Sequence, residues 1–188
     1  MYNIYENIIT EEEQNILLEY IERTKQDASR YSIIEGVEST SLWLIDLPNF
    51  KEIPLMEEVI NRVHVKCNVI AKKELCKASN HRFGSGILYA PRGSELEAHL
   101  DVIDKNKFPN QYMLRMNIML QKAERGGQFY FDIDGQQTFV DIPDRALITF
   151  NATKDKHGVS TNLGSTPRII LIIDCIDSDE EANYLVQH

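Results

Sequence analysis

The sequence predicts a mainly β fold with flanking α-helices, an antiparallel sandwich or barrel carrying a helical layer. Three observations predict it. From Arg82 onward short period-two segments alternate with turn residues, two segments with helical spacing precede them, and Asp134-Gly135 sits between two alternating runs. The chain has 188 residues, 43% of them hydrophobic, which suits one domain large enough to bury a core. It reads as a single domain over 1–188, with a helical support region over 1–76, a β core over 77–177 and a tail over 178–188.

Thr10 stands three residues before Glu13, the capping-box spacing, and Ile16, Leu17, Tyr20 and Ile21 recur on one face, so a helix is predicted over 11–23. Residues 24–50 are less regular. They hold Gly36, Ser39, Thr40, Ser41 and Pro48 around the single tryptophan, Trp43, and predict a loop or short strand flanking a pocket. Pro54 suits the first turn of a second helix, and the stripe Leu55, Val59, Val63, Cys67 and Ile70 carries it to about residue 75. Strands are predicted over 82–89, 112–120, 128–133, 137–141, 146–150, 156–160 and 168–174. Asp134-Gly135 predicts a two-residue hairpin turn, and the run from Asn162 to Pro167 breaks the chain before the last strand. Ser178, with Glu181 three residues on, predicts a short terminal helix.

The charge balance, 20 basic against 29 acidic residues for a net −9, repels polyphosphate and argues against a broad nucleic-acid surface. Lys72-Lys73 and the Lys105 to Lys107 pair are too small to reverse that. Cys67, Cys76 and Cys175 form no CxxC pair and are odd in number, so neither a disulfide framework nor a thiolate zinc site is expected. A reducing, cytoplasmic setting is the expectation, since the first residues carry no recognisable secretory signal and no apolar run is long enough to span a bilayer. Oligomeric state is not legible.

The chemistry concentrates in His99-Leu100-Asp101, with His157 and Arg168 downstream. Two imidazoles and one carboxylate can hold one face of a six-coordinate metal and leave the opposite positions open, as non-haem iron requires to activate dioxygen. Residues two apart in extended chain share a face, so His99 and Asp101 can act together, with His157 arriving from an adjacent strand. Taken alone, so short a motif is equally a surface pair. Arg168 opens the apolar run Ile169 to Ile173, where a guanidinium is expensive to bury without an anion. Its alternative is a strand-end arginine paired to a nearby acid.

The series Tyr89-Ala90-Pro91-Arg92-Gly93-Ser94, His99-Leu100-Asp101, Gly126-Gly127-Gln128-Phe129, His157 and Arg168 resembles the iron(II)- and 2-oxoglutarate-dependent dioxygenases, and within them the prolyl-4-hydroxylase-like branch. The resemblance covers about 82–174. It implies a double-stranded β-helix, the jelly-roll or cupin-like core, over 77–177. It also implies that His99, Asp101 and His157 bind Fe(II), that Arg168 grips the distal carboxylate of 2-oxoglutarate, and that Tyr89 lies against this cosubstrate. On the strand after the HxD loop, Arg115, Asn117 and Met119 share a face by alternation. Met119 stands where some relatives have a tyrosine, so a cosubstrate hydrogen bond passes to Asn117 or is lost, and Arg115 is either substrate-facing or solvent-facing.

The activity so implied consumes dioxygen and 2-oxoglutarate and hydroxylates a C–H bond. Its expected substrate is a prolyl or other residue in a peptide or protein, or a related free amino acid or small molecule. Oxidative demethylation of nucleic-acid bases is the second reading, and the acidic charge opposes it. The third is a non-catalytic jelly-roll that binds metal or a dicarboxylate. His64, His81 and His188 have no carboxylate at ligand spacing and are expected to be surface or packed residues.

Overall fold

The computed structural model describes residues 2–25, 31–33, 43–46, 53–67, 86–102, 106 and 111–178. In chain order the elements are β1 (Asn3–Tyr5), α1 (Glu11–Thr24), β2 (Tyr31–Ile33), β3 (Trp43–Asp46), α2 (Pro54–Lys66), β4 (Gly86–Ala90) and β5 (Leu96–His99). There follow β6 (Gln111–Gln121), β7 (Phe129–Ile133), β8 (Gln136–Val140), β9 (Leu147–Asn151), β10 (His157–Val159) and β11 (Arg168–Ser178). They make a seven-stranded sheet of order β1-β9-β6-β11-β4-β3-β2 and a four-stranded sheet of order β5-β10-β7-β8.

Strand alternation builds two cores. On β6 the residues Leu114, Met116, Ile118 and Leu120 point outward, with Leu171 and Ile173 of β11, onto Leu17 and Ile21 of α1 and Val59 and Val63 of α2. Met113 and Met119 point the other way. With Ile170 and Ile172 they meet Phe129, Phe131 and Val159 of the small sheet, so a second apolar layer fills the space between the sheets. The site described below opens into that inner layer.

Helix α1 starts as its sequence requires. The Thr10 hydroxyl accepts from the Glu13 N–H at 3.2 Å, and the Glu13 carboxylate accepts from the Thr10 N–H at 2.7 Å. Asp134 and Gly135 both take positive φ, 54° and 83°, the twist a two-residue hairpin needs between β7 and β8. Helix α2 is described to Lys66, with Cys67 as its C-cap. The expected continuation to residue 75, the start of the strand at 82–85, and the terminal helix beyond 178 lie outside the described residues.

Two departures from expectation concern strands. At the amino terminus β1 pairs with β9 at one edge of the large sheet, whereas β2 and β3, in the stretch expected to hold a loop or short strand, extend the other edge beyond β4. A further strand, β5, precedes the HxD motif itself. Leu96-Glu97-Ala98-His99 is too short and too weakly alternating to announce a strand, and pairing with β10 creates it. No helix among the described residues is long and apolar enough to cross a membrane.

Candidate metal centre

His99 ends β5 and His157 begins β10, and the two face each other directly in the antiparallel pair. Asp101 follows two residues after His99. Its backbone N–H donates to the Ala152 carbonyl at 2.9 Å, which ties the HxD loop to the turn leading into β10. Both rings are oriented by the same local device. His99 Nδ1 lies 2.8 Å from the Glu97 carbonyl and His157 Nδ1 lies 2.9 Å from that of Asp155. A carbonyl only accepts, so each Nδ1 carries the proton and each Nε2 is left with a free lone pair.

Those lone pairs converge. Nε2 of His99 is 3.5 Å from Asp101 Oδ1, Nε2 of His157 is 3.8 Å from Oδ2, and one donor atom from each residue lies within 4.8 Å of the others. Among the described residues this is the one such cluster of metal-ligating groups. His157 is 2% exposed, packed between the rings of Phe150 and Phe129 at centroid distances of 4.7 and 5.9 Å. Burial pushes its imidazolium down to about 4, which keeps the ring neutral and able to donate to a cation. For Asp101 burial acts upward, but the His99 hydrogen bond and the Arg115 charge outweigh it and hold the carboxyl below its usual range. His99 is raised: burial pulls it down, and the bond that its Nε2 would donate to Asp101 when protonated, with the Glu97 carbonyl, more than compensates.

Arg168, the first residue of β11, is 1% exposed and on the inner face. Its Nε and Nη1 have no hydrogen-bond partner, and burial pushes the guanidinium down to about 10. It abuts a cavity lined by Leu88, Ala90, Ser94, Leu96, Val159 and Asn162. Gly126-Gly127 gives the backbone room here. Gly126 has φ +70°, and a Cβ on it would stand 2.1 Å from the Thr161 carbonyl oxygen.

No protein-family model matches this sequence, and no curated protein does either. Solved structures do. A prolyl-4-hydroxylase from Pseudomonas putida is similar at TM-score 0.62 and 15% identity, over 94% of this chain and 92% of that one. A prolyl hydroxylase from Trichoplax adhaerens, in complex with a hypoxia-inducible-factor peptide fragment, is similar at TM-score 0.65 and 14% identity, over 100% and 87%. HygX from Streptomyces hygroscopicus, solved with nickel, 2-oxoglutarate and hygromycin B, is similar at 0.60 and 12%, over 95% and 83%.

The chain has the fold of the prolyl hydroxylases, a double-stranded β-helix.

Within this double-stranded β-helix the remaining expected site residues divide. Asn117 is on the inner face of β6, 5% exposed, with its Oδ1 lacking a partner. Tyr89 is not beside it. The alternation of β4 turns Leu88 and Ala90 inward and Tyr89 outward onto the helical layer, so the expected cosubstrate contact at Tyr89 is replaced by packing. Arg115 is neither substrate-facing nor solvent-facing. Its Nε and Nη2 hold Asp174 at 2.9 and 3.0 Å, and its Nη1 stands 2.9 Å from Asp101 Oδ2. The last contact lies off the N–H direction, so it is an ion pair and not a directed hydrogen bond, and Oδ2 keeps a free lone pair.

Asp174 is the residue that sequence reading missed. The signal was present, since Arg168, Ile170, Ile172 and Asp174 share one face by alternation and a carboxylate there needs a cation. His64 is packed as expected, its Nε2 3.4 Å from the Cys175 sulfur in the helical layer.

Proposed function

We propose that this protein is an iron(II)- and 2-oxoglutarate-dependent dioxygenase that hydroxylates a C–H bond of a prolyl or other residue in a peptide or protein, or of a related small molecule. One observation carries the reading. Donor atoms of the buried His157 and of the half-buried His99 and Asp101 face a common point, while a buried guanidinium with two unpaired nitrogens, Arg168, opens onto the same inner layer.

Two nitrogens and one carboxylate oxygen fit a facial donor set for Fe(II), which when bound supplies dioxygen activation coupled to oxidative decarboxylation of 2-oxoglutarate. In this reading His99, Asp101 and His157 hold the iron. Arg168 pairs with the distal carboxylate, its buried guanidinium supplying a charge-assisted bond from one of its unpaired nitrogens. Asn117 offers an amide to the cosubstrate from the inner face. Phe129, Phe131 and Phe150 keep water from the buried side of the centre, which sharpens every charge interaction there.

The peptide bound to the Trichoplax adhaerens relative and the small molecule bound to HygX support a substrate of either size. The net charge of −9 speaks against nucleic acid. An intracellular setting belongs to the same reading, supported by Cys67 and Cys175, both buried and unbridged. The test is an anaerobic titration with Fe(II) and 2-oxoglutarate, in which the visible charge-transfer band of their chelate is expected. A panel of peptides and amino acids assayed for substrate-stimulated succinate then identifies the substrate. No band at saturating iron and cosubstrate overturns the proposal.

A further inference from the structure

We infer that Arg115, anchored by Asp174, is a positioning residue that holds Asp101 as a one-oxygen ligand; this rests on the metal reading above. Arg115 of β6 and Asp174 of β11 are directly opposed across the sheet. Their two parallel contacts, Nε to Oδ1 at 2.9 Å and Nη2 to Oδ2 at 3.0 Å, lock the plane of the guanidinium. A planar fork fixed at two nitrogens has its third direction fixed as well. That third nitrogen, Nη1, meets Asp101 Oδ2 at 2.9 Å.

Burial makes this arrangement stiff. The Asp174 side chain is 3% exposed and that of Arg115 is 15% exposed. Burial raises the Asp174 carboxyl, and Arg115 opposes that rise. Either charge alone would be a buried, uncompensated ion, so the pair has no low-energy alternative arrangement. Asp101 differs from both. It sits on the loop beyond β5, and the guanidinium is the charge that restrains its Oδ2.

The consequence is a matter of counting positions. Two imidazoles and one carboxylate oxygen use three of six octahedral sites and leave three, two for a chelating oxoacid and one for dioxygen. Asp101 bound through both oxygens would use a fourth and leave too few. The charge of Nη1 competes with a cation for Oδ2 and so favours ligation through Oδ1, which lies 3.5 Å from His99 Nε2. A lysine cannot substitute. Its single ammonium can pair with Asp174 but has no second arm for Asp101.

The test uses the full chain, metal-free, titrated anaerobically with Co(II) while the affinity and the visible d–d spectrum are read. Two variants are compared with the wild type: Arg115→Lys, and the paired Arg115→Met with Asp174→Leu, which removes both charges together and strands neither. Each is expected to weaken Co(II) binding by about 10–100-fold, the usual effect of losing an outer partner of a ligand. Each is also expected to change the spectrum as the carboxylate turns toward two-oxygen binding. Far-ultraviolet circular dichroism checks the fold, and Arg115→Lys carries the test if the double variant does not fold. Wild-type affinity and spectrum in either folded variant overturn the inference while leaving the metal reading intact. No Co(II) uptake by the wild type overturns the metal reading itself.

Discussion

Replacing Arg168 by methionine is expected to stabilise the ligand-free protein while abolishing its response to 2-oxoglutarate. The magnitude comes from burial. The guanidinium is 1% exposed, has two unpaired nitrogens, and is pushed more than two units below its ordinary value, to about 10, by desolvation alone. At about 1.4 kcal/mol for each tenfold change in proton affinity, that interval is a penalty of about 3 kcal/mol on the charged form. For a cation whose value is lowered on folding, the penalty is fully present below the folded value. It is therefore complete at neutral pH and eases only as pH rises from about 10 toward the ordinary arginine value. Methionine has similar reach and no charge, so the variant recovers most of the penalty, which for a chain of this size is about 6–12 °C in melting temperature. The assay is scanning calorimetry of wild type and variant at pH 7.5, each with and without Mn(II) and 2-oxoglutarate. The wild type should gain stability from the ligand, about 2.7 kcal/mol at one hundred times the dissociation constant, and the variant should gain none beyond the metal's effect. An Arg168→Met protein that melts at or below the ligand-free wild type, or that still responds to 2-oxoglutarate, would refute the reasoning.

His157→Ala removes one of three donors and is expected to weaken Mn(II) binding, read by isothermal titration, by more than the about 10–100-fold associated with outer partners; unchanged affinity would show that the ring is not a ligand. Gly126→Ala would force a Cβ to within 2.1 Å of the Thr161 carbonyl at φ +70°, and a loss of at least about 2 kcal/mol is expected in urea unfolding. A wild-type midpoint would show that the loop relaxes freely. Glu13 is held below its ordinary 4.5 first by its hydrogen bond to Arg62, against the opposing effect of burial, and then by the Thr10 N–H. A lowered carboxylate stabilises the fold above its unfolded value and loses that contribution as pH falls through the folded one. The stability gap between wild type and Glu13→Gln should therefore be open at pH 6 and close below pH 4.5, and a gap independent of pH would contradict it.

Much of the fold was written locally. The capping box at Thr10 and Glu13, the Asp134-Gly135 turn and the apolar run after Arg168 each determine an element by nearest-neighbour chemistry, and each stands where it was expected. Strand β5 was not legible, because its four residues become a strand only through a partner distant in sequence. The same limit applies to faces. Alternation states that Tyr89 and Ile87 share a side, but not that this side meets the helices and not the site.

What the sequence determined by itself is the set of chemical groups: two histidines, an aspartate and an arginine on extended chain, in an order that resembles one family of enzymes. Tertiary structure alone decided how they meet. It placed His99 opposite His157, joined Arg115 to both Asp101 and Asp174, and turned Tyr89 away. The physical reason is register. A strand carries its side-chain period within itself, whereas the residue across the ladder, and the layer each face meets, are set by pairing with strands elsewhere in the chain.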